Sequence, residues 1–416
     1  MTTQRFFGFG RSGMTRVLVI PLLIVLAGCA PVRHVEAVRV LQDFAAGAAD
    51  SRLKRATPMP LRQTLAYTVA GRAHQADLYL PGPLDGCAAP SPAQSAGASG
   101  PDRYCPRAAL VVVPGAVPLG KDDPRLVAFA TTLARAGFAV LAPDLRGFRQ
   151  LRIRPSDARE IADAFAYVVR RPELAPEGRA GMVAFSYSVG PALIAALGDD
   201  IREQVRFVVG VGAYHDLPRA MRFFTTGWFE HDGAWQRITP DDTGRMVLVY
   251  SSLDYLADGA DRAVFDRMVA QRTRDPHADL SPLATELSDG ARAVYALAVN
   301  ADPERFAELY ARLPEAMRAD LDRLDLARHD LKPLKARLIL VHGRNDNLIP
   351  WPESQALAAA VPQGQARVFF IRRVLGHVDL SISPLHSWRF WRDDLPDLWR
   401  LWRVIDLLLA EREAGA

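Results

Sequence analysis

Three short segments hold residue types that, brought together, would do nucleophilic chemistry. Met182-Val183-Ala184-Phe185-Ser186-Tyr187-Ser188-Val189-Gly190 sets two serines among small residues after an apolar run. Leu338-Ile339-Leu340-Val341-His342-Gly343-Arg344-Asn345-Asp346 ends a second apolar run on a carboxylate. Leu375-Gly376-His377 then supplies an imidazole on a Gly-led loop. A serine hydroxyl is a weak nucleophile until an adjacent imidazole takes its proton. A carboxylate orients that imidazole and stabilises it once charged. The chemistry expected is acyl transfer through a covalent intermediate.

Two registers compete for the nucleophile. Ala184-Phe185-Ser186-Tyr187-Ser188 puts Ser186 at the tip of a turn, and Ser186-Tyr187-Ser188-Val189-Gly190 puts Ser188 there. A sharp strand-to-helix turn needs small residues two before and two after the tip, and both registers pass. A short strand over 180–185 favours Ser186. Pro191, best tolerated in the first helical turn, leans towards Ser188. Ser186 is therefore the expected nucleophile and Ser188 the alternate. Asp346 is the expected acid, with Asp216 in reserve; the bland reading of Asp346 is a loop aspartate satisfying its own turn. His377 is the expected base, with His386 in reserve, and Gly376 would permit the backbone turn that presents the ring. Asp144 reads as structural beside Arg146, and His215 as a residue that could line a pocket.

The elements that must position these groups follow from periodicity. Residues 61–69 and 74–80 alternate and break at Gly71-Arg72, as a hairpin does. Residues 108–113, 138–142, 180–185 and 206–211 are short apolar runs, as in strands buried on both faces. Helical spacing lies between them at 123–136, 156–170 and 192–197. From 217 to 333 the patterns turn helical, at 246–256, 263–272, 291–299 and 303–324. Strand, helix and strand resume at 338–341, 353–360 and 367–371, and a Trp-rich amphipathic helix covers 395–409. This alternation implies an α/β fold, a doubly wound, mostly parallel sheet with an inserted helical cap. The expected organisation is a leader over 1–28, a tether with some helix over 29–60, a core in two parts (61–215 and 334–416) and the cap over 216–333.

Residues 62–215 and 334–412 resemble the two halves of an α/β-hydrolase. Asp144-Leu145-Arg146-Gly147-Phe148 is similar to that family's D-x-R-G-F turn, and His342-Gly343-Arg344-Asn345-Asp346-Asn347-Leu348-Ile349-Pro350 to its H-G-x-x-D-x-x-x-P acid loop. The order serine, acid, histidine is also that family's; chymotrypsin-like and subtilisin-like enzymes use other orders. The resemblance implies an oxyanion hole from the backbone N–H of Tyr187 and of a residue after Val113, for which Ala116 is the candidate, with Gly115 giving backbone freedom. It also implies a structural role for His342. The chain departs from the family at Ser188, where the elbow usually has glycine, and at Pro114, where the loop usually has histidine.

The 416 residues are 49% hydrophobic and 24% charged, with a net charge of +4. Basic residues are scattered among Asp and Glu, so no nucleic-acid stripe is read and no nucleic-acid partner is expected. Neither a metal-ligand cluster nor a Gly-rich nucleotide loop occurs in the sequence, so no metal and no cofactor is expected. Arg5, Arg11 and Arg16 precede an apolar run over 17–27, too short to span a bilayer but suited to a secretory leader. It ends Leu26-Ala27-Gly28-Cys29, which resembles the lipobox of bacterial lipoproteins. That implies lipidation of Cys29, a membrane anchor and a cell-envelope site facing the periplasm, with Ala30 leaning towards the outer membrane. An ordinary cleaved leader with an incidental cysteine is the alternative. In an oxidising compartment Cys87 and Cys105 could pair across the low-complexity stretch between them.

Phe223-Phe224-Thr225-Thr226-Gly227-Trp228-Phe229 in the cap reads either as a pocket for an apolar acyl or alcohol group or as packing of cap on core. The function expected is a serine hydrolase cleaving carboxylic esters of small-molecule or lipid type. The rivals are a non-catalytic envelope lipoprotein that uses the fold for binding, and a serine peptidase or acyltransferase.

Overall fold

The computed structural model describes residues 31–84, 87, 104–256, 259–275, 277–378, 380–384 and 386–413. The leader and Cys29 lie outside the described residues. Among the described residues ten strands form: β1 (Leu61–Val69), β2 (Arg72–Leu80), β3 (Ala108–Val113), β4 (Phe138–Pro143), β5 (Ala180–Phe185), β6 (Val205–Val211), β7 (Trp228–His231), β8 (Ala234–Arg237), β9 (Arg337–Gly343) and β10 (Ala366–Ile371). Eight of them make one sheet in the order β1-β2-β4-β3-β5-β6-β9-β10. β2 runs antiparallel to β1 and β4, and the other pairings are parallel.

The central strands need both faces covered, because their runs are apolar at every position. Val111, Val112 and Val113 are wholly buried, as are Leu141, Val183 and Leu340. Burying one such side chain contributes about 1.5–3 kcal/mol. Helices Ser156–Val169 and Val189–Leu197 cover one face, and helices Pro124–Arg135 and Leu395–Glu413 the other.

The segment read as a tether differs from that reading from Pro31 onward. Helix Pro31–Ala46 packs on the C-terminal helix Leu395–Glu413. Ala37 and Val40 are fully buried, and Asp43 is 2% exposed while accepting hydrogen bonds from Ser51 and Thr132. Arg412, itself buried, reaches Glu36 at 2.5 and 2.7 Å. Ala37, Val40 and Phe44, three and four residues apart, give this helix an apolar face that docks. A disulfide joins Cys87 to Cys105, with their Cα atoms 5.6 Å apart.

Between β6 and β9 the chain builds the cap. Its helices include Leu217–Thr226, Thr243–Ser252, Ala260–Arg274, Asp289–Ala298, Phe306–Ala311 and Glu315–Leu324, and β7 pairs with β8 as a hairpin. The single helix expected over 303–324 is broken. Proline disfavours helical backbone in the residue before it and lacks an N–H, so Pro314 ends one helix and starts the next. Asp302 caps a turn rather than a helix, accepting the N–H of Glu304.

The cap is tied down where it leaves and re-enters the core. Buried Glu353 accepts the N–H groups of His215 and Asp216 at 2.9 and 2.8 Å, and the Arg219 guanidinium at 2.8 Å. Asp325, at the far end of the insertion, accepts the N–H of Leu217 at 3.0 Å. Arg152 and Arg154 of the core both pair with Asp254 of the cap, at 2.5 and 2.7 Å.

Candidate active site

The turn after β5 places the two serines differently. β5 ends at Phe185, a single 3-10 turn covers Ser186–Ser188, and the helix starts at Val189. Ser186 has φ +58°, in the left-handed region that non-glycine residues seldom adopt. It is the tip residue, and it lines the large cavity between core and cap. Ser188 is fully buried and points the other way. Its Oγ accepts the N–H of Phe185 at 2.9 Å and lies 2.8 Å from the Phe185 carbonyl, to which its hydroxyl can donate. The serine that replaces the family's glycine is thus a brace across the turn. Pro191 causes no conflict, because the helix begins two residues before it and its missing N–H falls within the first turn.

Asp346 and His377 meet. The ring Nδ1 of His377 is 2.7 Å from Oδ2 of Asp346. Asp346 is fully buried, and its Oδ1 accepts the N–H groups of Leu348 and Ile349 at 2.8 and 2.9 Å. His342, also fully buried, places Nε2 3.3 Å from Asp346 Oδ2 and 3.0 Å from the Ile349 carbonyl, with its Nδ1 2.7 Å from the Ser354 hydroxyl. Two acceptors facing Nε2 require the proton there. Burial alone would push the Asp346 carboxyl up, but the charges and hydrogen bonds of His377 and His342 outweigh it and hold the group well below the usual carboxylate range. Asp346 is therefore an anion in the folded chain, suited to holding an imidazole by its Nδ1–H. His377 and Ser186 both line the cavity.

Two glycines that the sequence reading passes over make this approach possible. Gly212, at the end of β6, has φ +66°, and a Cβ there would lie 3.1 Å from the His377 ring and 3.2 Å from Asp346 Oδ2. Gly343 ends β9, and a Cβ there would meet the carbonyl of Gly376 at 2.2 Å. The imidazole loop can lie on the acid strand only because that position carries no side chain. Neither Gly376 nor Gly343 is at positive φ, so the backbone turn expected at Gly376 is not what presents the ring; Gly343 contributes by lacking a Cβ. Gly115 likewise is not at positive φ; it packs against the elbow, and a Cβ would sit 3.6 Å from the Phe185 carbonyl.

Ala116 and Tyr187 line the same cavity as Ser186. The Tyr187 side chain turns inward, and its hydroxyl donates to Asp157 at 3.2 Å. Burial pushes Asp157 up to about 7. The remaining expected residues lie elsewhere. Asp216 caps helix Leu217–Thr226 by accepting the N–H of Arg219. Asp144 pairs with Arg149 at 3.3 Å, not with Arg146, because the helical turn 146–149 carries Arg149 back over it. His215 is not among the cavity-lining residues; its backbone is held by Glu353 and Ala327. His386 is exposed.

The cavity is about 240 Å³ and is mostly apolar. Its cap wall includes Leu217, Met221, Phe224, Val247, Leu248 and Leu321. Of the cap aromatics, Phe224 faces the cavity, whereas Phe223 and Phe229 pack with Trp351 of the core. The cluster is thus divided, with Phe224 on the cavity and Phe223 and Phe229 in packing of cap on core.

Strand order, strand direction and elbow together define the fold. It is the α/β-hydrolase fold. Counting strands of the large sheet alone, the order is 1-2-4-3-5-6-7-8 with the second strand reversed. No family model matches the chain, and no curated protein matches it by sequence. Solved structures similar to it include an esterase from Pyrobaculum calidifontis, 13% identical over 92% of this chain and 91% of that one, with a TM-score of 0.43. Dienelactone hydrolase from Anabaena variabilis is 14% identical over 85% of this chain and 97% of that one, at 0.39. An acylaminoacyl peptidase is 11% identical over 86% of this chain and 42% of that one, at 0.45. At such scores these likenesses say nothing of substrate or reaction.

Proposed function

We propose that the chain is a serine hydrolase that cleaves carboxylic esters with an apolar acyl or alcohol group. Ser186 Oγ attacks the ester carbonyl while His377 takes its proton. The oxyanion that forms is met by the N–H groups of Ala116 and Tyr187. His377 then gives its proton to the departing alcohol, leaving the acyl group on Ser186. Water, deprotonated by the same imidazole, attacks that acyl-enzyme and releases the acid. Asp346 fixes the ring and stabilises its charged form throughout.

The observation that carries this reading is the strained tip position of Ser186 on the cavity that His377 also lines, with Asp346 2.7 Å behind the ring. An ester substrate is favoured by the cavity's apolar walls, which suit an uncharged chain better than a peptide backbone with its unmet donors and acceptors. The test is a panel of p-nitrophenyl esters from acetate to decanoate beside matched anilides. The reading expects ester turnover that Ser186→Ala abolishes; turnover of anilides alone, or of neither, would refute it.

Lipidation at Cys29 and a periplasm-facing envelope location, with the outer membrane favoured, complete the proposal. They rest on the leader pattern. Cys29→Ser should remove palmitate labelling of the protein in growing cells; unchanged labelling would dismiss the anchor.

A further inference from the structure

The loop that carries His377 continues into a segment that exposes four large apolar side chains. After Val378, which lines the cavity, Leu380 and Ile382 are 39% and 38% exposed. Trp388 and Trp391 follow, 75% and 49% exposed, at the start of the C-terminal helical stretch. Arg389 and Arg392 stand exposed between and beside them. The described exposed positions of 380–392 include no carboxylate. Asp393 pairs with Arg392 at 2.9 Å and leaves that guanidinium 68% exposed, while Asp394 and Asp397 are turned inward and fully buried.

The surface is built and held. Arg373 pairs with Asp394 and donates to the Ser383 hydroxyl at 2.7 Å, and Asp394 accepts the N–H of Ser383 at 2.6 Å. Ser381 N–H donates to the Val374 carbonyl at 2.8 Å. The strap is therefore pinned between the His377 loop and the helix, with its apolar side chains outward. Exposing two indoles costs free energy unless something covers them.

We infer that this face seats on an anionic lipid bilayer and turns the mouth of the cavity towards it. Indole rings flanked by guanidinium groups suit the boundary between headgroup and acyl chain: the ring is apolar with a polar N–H, and the cation meets lipid phosphate. The N-terminal helix supplies a second argument. It lies on the same C-terminal helix, where Trp402 Nε1 donates to the His34 carbonyl at 3.1 Å. Helix Pro31–Ala46 carries the chain back from His34 to within two residues of Cys29, and Trp391 stands on the helical stretch that runs on into Leu395–Glu413 and Trp402. A lipid on Cys29 and the indole face can then reach one bilayer together. The inference deepens the proposed function by naming the source of substrate, an apolar ester held in that bilayer, but its test does not depend on turnover.

The experiment uses the full-length protein purified from membranes and reconstituted with vesicles of one part phosphatidylglycerol to three parts phosphatidylethanolamine, with bromine-labelled acyl chains. Indole fluorescence of wild type should be quenched, and a Trp388→Phe/Trp391→Phe variant should lose that quenched component. Trp388→Ser/Trp391→Ser should slow hydrolysis of a vesicle-held ester by about tenfold while turnover of a soluble acetate ester stays within about twofold. Replacing the anionic lipid with phosphatidylcholine should weaken the quenching. Equal quenching in wild type and the Phe variant would place both indoles in water and overturn the inference. Concentration-dependent dimerisation lost in the Ser variant, without quenching, would assign the face to a second copy and also overturn it. Quenching as expected in a protein that cleaves no ester would leave the surface assigned and defeat only the catalytic reading.

Discussion

Around Asp346 the molecule leaves no freedom. Four donors within 3.3 Å occupy its two oxygens, it has no exposure, and two glycines let neighbouring backbone and ring close on it. Across the cavity the wall is of another kind. Helices Leu217–Thr226 and Thr243–Ser252 present mainly apolar side chains, and their polar ties to the core are few: Arg219 on Glu353, the N–H of Ile153 on the cavity-lining Ser251 hydroxyl, and the N–H of Asp241 on Asn347 near their ends. The rim of the sheet is directional and fixes where a bond breaks. The cap is non-directional and fixes what fits. Changes at the rim should therefore act on kcat for every substrate, and changes in the cap should act by substrate size.

The largest effect belongs to the rim. Ser186→Ala should lower kcat by about 10⁴–10⁶ for all esters without shifting the thermal midpoint much. Asp346→Asn should cost about 10⁴ in kcat, because an amide can hold the ring in the wrong tautomer. A loss that varied with acyl length in either variant would blur the contrast between rim and cap. Met221→Trp tests the opposite side. It should lower kcat/KM for decanoate at least about tenfold and leave acetate within about twofold, in line with what a few displaced methylenes are worth. Uniform loss across the ester series would count against a size-selecting wall.

Much of the rim was legible in sequence. Runs such as Ala109-Leu110-Val111-Val112-Val113 admit only a buried strand, and a carboxylate or serine just past such a run must sit at the sheet's edge. Spacing left Ser186 and Ser188 both open, with strand length leaning to Ser186; the hydrogen bonds that make Ser188 a brace depend on turn geometry that spacing does not reveal. Gly212 and Gly343 were not legible as site residues. Their role appears only when β6, β9 and the His377 loop lie side by side, and these are far apart in the chain. The cap was legible as helical but not in its breaks. Its hairpin carries a signal, Asp232-Gly233, both at positive φ, which a helical reading of 217–333 passes over. The cavity shape could not be read at all, since its lining comes from residues as distant as Ala116 and Val378.

Two smaller effects sharpen the account. Ser188→Ala should leave kcat within about threefold and cost about 1–2 kcal/mol of stability, as expected for losing a buried hydroxyl that meets backbone groups; chemical denaturation of the purified variant measures it. The second concerns the two buried carboxyls near the elbow, whose titrations have opposite sign. Asp346 is depressed, so its contribution is present above the unfolded carboxylate value and lost as pH falls through its low folded value. Asp157 is raised to about 7 by burial, with Glu160 adding repulsion and Tyr187 and Arg154 opposing it. The folded chain then holds a proton there that the unfolded chain releases near pH 4, so stability falls as pH rises from about 4 to about 7. Asp157→Asn should remove that decline, and the gap in thermal midpoint between variant and wild type should widen across this window. A gap independent of pH would mean that Asp157 is already ionised when folded.

The most direct measurement is a crystal structure of the protein after reaction with a diethyl fluorophosphate-type probe. The account predicts phosphorus bonded to Ser186 Oγ, a phosphoryl oxygen within hydrogen-bond distance of the Ala116 and Tyr187 N–H groups, and His377 still paired with Asp346. Phosphorus on Ser188, on any other side chain, or on none in a well-ordered crystal would contradict it.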